Sequence, residues 1–201
     1  MRRASASSAS LLLMLVVCTT VVGCIPRRDP IYIGPELSAE NLQIESIAFM
    51  PVIDVRPDPF TYVEISTQTR RVGTRILSRK GYEVIPEVLS TPDRKYTAGE
   101  LAGMNEEELA TLGSPERQTL LFVYVEGLEQ GVDERGEGSR VTLSAVLIEK
   151  AGGRAIWRDR AVGDSNMTGL LTVLTGPSTE YEAVWAAVRM LFATLPSRKN
   201  T

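Results

Sequence analysis

The sequence predicts an α/β domain: a mixed sheet built from a βαβ unit followed by an antiparallel meander, with helices packed on it and an amphipathic helix at the C-terminus. Three observations carry that prediction. A short apolar run, a helical stripe and a second β-rich run follow one another between Ile44 and Pro86, the order of a parallel crossover. Three more β-rich runs between Leu120 and Val162 are joined by glycine-containing turns, as in a meander. Near the end, Tyr181, Val184, Trp185, Val188, Leu191, Phe192 and Leu195 recur at helical spacing.

The N-terminus comes before that domain and has another character. Arg2 and Arg3 precede a Ser/Ala-rich stretch and an apolar run from Leu11 to Gly23, shorter than the roughly 18 residues that span a bilayer as a helix. This is the pattern of an export leader. It closes on Val21-Val22-Gly23-Cys24, the form of a lipobox, in which Gly23 marks the expected cleavage site and Cys24 the thiol expected to take lipid, palmitate included. Residues 1–23 are therefore read as a signal peptide, and residues 24–41, with Pro26, Pro30 and Pro35, as a lipidated cysteine and proline-rich tether. Residues 42–197 form the single α/β domain and 198–201 a polar tail. With Ile25 rather than aspartate after the cysteine, a Gram-negative source would place the anchor in the outer membrane, facing the periplasm.

Composition narrows the function. At 43% hydrophobic and 23% charged residues, the chain is neither a disordered tail nor a membrane bundle. Loss of the leader removes two arginines and no acid, taking the formal charge from −3 to −5, which argues against nucleic acid as a partner. Cys18 leaves with the leader and Cys24 goes to lipid, so no disulfide is expected. The chain has no histidine. The commonest general base and the commonest transition-metal ligand are both missing, and no enzyme activity and no cofactor are expected.

Taken in order, Ile44 to Pro51 is a candidate central strand. Tyr62, Ile65, Thr69, Val72 and Ile76 mark one stripe of the helix that follows. Lys80-Gly81 ends this helix, and Gly81 at C′ would bring Tyr82 against Leu77 in a Schellman cap. Tyr82 to Pro86 is the second strand. Between Glu87 and Gly113, Thr97 with Glu100 and Asn105 with Glu108 are spaced as capping boxes of two short helices. Leu120 to Leu128, Arg140 to Glu149 and Arg154 to Val162 are the meander strands, joined through Gly131 to Gly138 and through Lys150-Ala-Gly-Gly153. Ser165 to Gly176 reads as a loop, and Thr179 with Glu182 caps the last helix.

The motifs with a chemical look resolve into ordinary structure. Gly163-Asp164-Ser165 resembles an esterase block but lacks its histidine and is read as loop. Asp133, Glu134 and Glu137 lack the register of a calcium loop and read as a solvated hairpin tip, so no metal is expected. Three surfaces remain as candidates for a partner. Arg71, Arg75 and Arg79 recur every fourth residue, either a solvated flank or a row that meets anionic groups. Leu170 and Leu171 lie in an apolar loop that either touches a membrane or partner or tucks under the last helix. Ala183, Ala187 and Met190 lie opposite the large apolar residues of that helix, where alanine serves either helix propensity or burial against a partner or second copy.

Several of these segments together resemble a known family. The strand ending in Pro51, the helix closing with Leu77-Ser-Arg-Lys-Gly-Tyr-Glu-Val84, the strand Leu120 to Val125, and the hairpin Leu147-Ile-Glu-Lys-Ala-Gly-Gly-Arg-Ala-Ile-Trp157 follow in an order similar to CsgG-like envelope lipoproteins. Those include the curli secretion lipoprotein, penicillin-binding-protein activator lipoproteins and GNA-type surface lipoproteins, with a domain like the N-terminal domain of TolB. The resemblance implies a non-enzymatic role in envelope assembly or transport, exercised through an envelope protein partner or through self-association. No tract here offers the long amphipathic hairpins of the curli pore. An auxiliary lipoprotein of an ABC-type transporter, binding a lipid or glycan in an apolar cleft, is the alternative.

Overall fold

The computed structural model describes residues 29–37, 44–89, 95–132, 138–165 and 179–198. Seven strands, β1 (Tyr32–Ile33), β2 (Ser46–Phe49), β3 (Ile53–Asp54), β4 (Glu83–Pro86), β5 (Thr119–Gln130), β6 (Ser139–Glu149) and β7 (Arg154–Asp164), form one mixed sheet. Its order is β1-β7-β6-β5-β2-β4, with β3 continuing the line of β2 along β5. Four helices cover it: α1 (Ile65–Arg79), α2 (Ala98–Gly103), α3 (Glu106–Ala110) and α4 (Thr179–Ala193).

β2 pairs in parallel with both β4 and β5, and α1 is the crossover between β2 and β4. The apolar start of β5 is buried on both sides, as a strand with helices on each face requires. β5, β6 and β7 follow as the antiparallel meander, paired from Thr119↔Glu149 to Gln130↔Ser139 and from Arg140↔Asp164 to Glu149↔Arg154. On one face of the sheet, α1 and α4 enclose a core that holds Phe49, Leu121, Leu143, Trp157 and Phe192. On the other, α2 and α3 cover Met50, Ile53, Leu120, Phe122 and Ile148.

Local sequence explains the helix ends. The Gly81 N–H donates to the Ser78 carbonyl and the Tyr82 N–H to that of Leu77, with Gly81 at φ 96°, so the expected Schellman cap is present. Both capping boxes are also in place, Thr97 with Glu100 and Asn105 with Glu108.

Three boundaries differ from the sequence reading. Residues 31–37 are not tether: Tyr32 and Ile33 pair with Arg158 and Trp157 of β7, and Leu37 is fully buried in the core. A two-residue edge strand leaves no periodicity to read. Helix α1 starts at Ile65 because Tyr62, at φ 55°, lies in the turn before it. Gly163 and Asp164 end β7 rather than begin a loop. The hairpin residues Asp133, Glu134 and Glu137, and the loop 166–178, lie outside the described residues.

Candidate functional site

A groove of about 700 Å³ between α1 and α4 combines charge with accessible apolar surface. Its floor and one wall come from α1, where the four-residue spacing of Arg71, Arg75 and Arg79 sets three guanidinium groups in a row beside Val72 and Ile76. Lys80 closes the far end. The other wall is the outer face of α4, with Tyr181, Trp185 and Arg189. The Arg71 guanidinium lies 6.0 Å from the Tyr181 ring centre and that of Arg189 5.1 Å from the Trp185 ring centre, both within cation–π reach.

Among the described residues, five cations line this groove and no carboxylate does. Among the described residues, none of Arg71, Arg75, Arg79 and Arg189 forms an ion pair, whereas Arg56, Arg117, Arg140, Arg154, Arg158, Arg160 and Arg198 all do. The groove is therefore an uncompensated positive field on a chain that is acidic overall. Lys80 is partly spoken for. Its ammonium donates to the Leu195 carbonyl at 2.6 Å, and burial lowers its pKa.

The expected site residues fall into three groups. Arg71, Arg75 and Arg79 are exposed and share the groove. Gly23, Cys24, Leu170 and Leu171 lie outside the described residues. The alanine face is corrected: Ala183 and Ala187 are fully buried inside this chain, not open to a partner, and Met190 is half-buried against the same core. The reason is a close approach of backbones. A Cβ on Gly163 of β7 would come within 2.0 Å of the Ala187 nitrogen and 2.4 Å of the Ala183 carbonyl oxygen, so α4 needs small residues there.

The same rotation brings Tyr181 and Trp185, assigned from spacing to the core side, out to the groove wall, where both are half-exposed. Sequence reasoning missed these two and Arg189. The pointer was a glycine in a strand opposite an Ala-x-x-x-Ala pair.

A second cavity, of about 400 Å³, opens on the other sheet face beside Tyr124, Glu106, Glu126 and Arg158. Its charges are matched within the chain. Glu106 accepts from Arg158 and from the Ala155 N–H, and Glu126 from Arg160 at 2.7 Å. Among the described residues no group of three potential metal ligands occurs, and no helix is long and apolar enough to cross a membrane.

No family model and no curated protein matches the chain. Solved structures do. A lipoprotein of Neisseria meningitidis, GNA1162, is 20% identical over 66% of this chain and 90% of its own, at a TM-score of 0.49. A PelC dodecamer from Paraburkholderia phytofirmans is 13% identical over 77% and 90%, at 0.49. A variant PelC dodecamer from the same organism is 12% identical over 85% of this chain and 96% of its own, at 0.50. This last likeness is one of fold.

Proposed function

We propose that this chain is a lipid-anchored, non-enzymatic cell-envelope protein that works by holding an acidic segment of a protein partner in the groove between α1 and α4. The groove carries the proposal: Arg71, Arg75, Arg79 and Arg189 are exposed and without a described carboxylate partner, and guanidinium groups one helical turn apart suit a run of carboxylates. Trp185 and Tyr181 add flat apolar surface, the composition found at the centre of protein interfaces. The address rests on Val21-Val22-Gly23-Cys24 and on the resemblance to CsgG-like lipoproteins, which favours a role in envelope assembly or transport at the outer membrane.

The site test uses a deca-glutamate peptide and the mature chain. Calorimetry is expected to show binding that weakens with added salt and falls at least tenfold when Arg71, Arg75 and Arg79 are all changed to glutamate, a loss of about 1.4 kcal/mol or more. Equal binding by the two proteins defeats the groove. Because the PelC variant that shares this fold is a dodecamer, sedimentation of both proteins identifies a second copy as the partner if only the parent chain assembles. Palmitate labelling with a Cys24→Ala control tests the anchor, and label retained in the control defeats it.

A further inference from the structure

We infer that the loop between β3 and α1, Val55 to Glu64, rests on the lipid surface that holds the anchor, with Phe60 and Val63 as the inserted side chains. The inference builds on the lipid-anchored reading of Cys24 but stands on other residues. Phe60 is 84% and Val63 71% exposed, and single exposed apolar residues are common. What sets this pair apart is that the chain holds them out.

Arg56, at 6% exposure, is folded inward as the loop's strut. Its guanidinium grips the Asp54 carboxylate through Nε at 2.8 Å and Nη2 at 2.6 Å, and Nη1 donates to the Thr61 carbonyl at 2.7 Å. Asp58 fixes the tip, accepting from the Phe60 N–H at 3.2 Å and from the Thr61 hydroxyl at 2.7 Å. Tyr62 adopts φ 55°, and its hydroxyl donates to Gln68 of α1. A loop braced in this way cannot collapse its phenylalanine onto the domain, and little ordering entropy is left to lose on insertion.

The course of the N-terminal chain says what covers this loop. β3 runs parallel to β5 with Asp54 opposite Val125, so the loop leaves the sheet beside the middle of β5 and is directed toward the end where β5 finishes and β6 begins. β1 pairs antiparallel to β7, Tyr32 opposite Arg158. Followed back from Ile33, the chain therefore runs toward the C-terminal end of β7, which is that same end of the sheet. Cys24 lies eight residues before Tyr32, a reach of roughly 28 Å at full extension. The strand from Arg158 to Asp164 already spans roughly 20 Å of it. An acyl chain on Cys24 thus draws this end of the domain against its membrane. Asp58 and Glu64 flank the tip, a charge that suits a zwitterionic surface better than an anionic one.

The test uses an environment-sensitive dye on Val63→Cys in the lipidated chain, in which Cys24 is acylated and no other mature thiol competes. The control is Ser78→Cys, exposed near the far end of α1. In phosphatidylcholine/phosphatidylethanolamine vesicles doped with a nitroxide lipid, quenching at position 63 is expected to exceed that at 78 at least twofold, to persist in 0.5 M NaCl, and to halve when Phe60→Ser is added. Equal quenching at both positions, or none at 63, overturns the inference. So does dye at 63 that becomes shielded only when a soluble envelope extract is added, which would make the occupant a protein. The same pair of labels on a Cys24→Ser chain, held to nickel-chelating lipid by an N-terminal hexahistidine tag, separates the two readings. Absence of acylation with quenching intact in the tagged chain removes the anchor and leaves the loop, while acylation without quenching removes the loop alone.

Discussion

At the scale of single residues, the clearest anomaly is Thr69. It is fully buried in α1, and among the described residues its hydroxyl has no hydrogen-bond partner. Such a group costs free energy that a methyl would not. Thr69→Val, which keeps the shape, is expected to raise stability by about 1 kcal/mol in urea unfolding, and a loss instead would reveal a partner for the hydroxyl. Two tyrosines make a second prediction. Burial pushes Tyr82 and Tyr124 each up to about 12, against the lesser opposing pull of Arg198 and Arg158. The folded chain then keeps protons that the unfolded chain loses near pH 10. Their contribution to stability is fully present below pH 10 and is lost as pH rises through about 12. Phenolate absorbance should therefore show two of the six tyrosines titrating late, together with alkaline unfolding.

Elements decide what a helix face is for. α4 lies on β6, β7 and α1 at once, so most of its circumference is buried, and the strip through Tyr181, Trp185 and Arg189 faces the groove. Gly163→Ala is the change that breaks this packing. Its Cβ would meet backbone rather than a yielding side chain, and a loss of about 3 kcal/mol is expected in thermal or urea unfolding. A variant as stable as the parent would mean that α4 stands farther from β7.

The Gly81 cap and the Thr97 and Asn105 boxes were legible in the sequence because their geometry is set within a few residues. The order of β2, α1, β4 and the meander was legible because period and turn chemistry agreed. β1 was not, since two residues have no period. The rotation of α4 was not, because both its faces are apolar and the choice between them is made by a glycine twenty residues upstream. The arginine row was visible as spacing alone. That it forms one wall of a groove depends on α4 lying beside α1.

For the whole molecule, the two proposed surfaces differ in position and in physics. The groove runs along the outer side of α1 and α4, and its field weakens with salt. The loop leaves the sheet beside the middle of β5 and depends on apolar contact, which salt leaves standing. A domain held by the loop and by its N-terminus at one end would keep the groove along its flank, clear of the bilayer and open to a partner in solution.

The C-terminal helix has a consequence in time as well as in space. Val184, Ala187, Val188, Leu191, Phe192 and Leu195 all belong to the core, where Phe192 meets Phe49 edge-on and stacks on Trp157. Lys80 and Tyr82 are then tied to the Leu195 and Pro196 carbonyls. Whether it leaves a ribosome or a translocation pore, a chain that emerges N-terminus first has the part of its sheet that α4 covers still open until residues 179–195 are free. Completion of this core is thereby deferred until α4 has emerged.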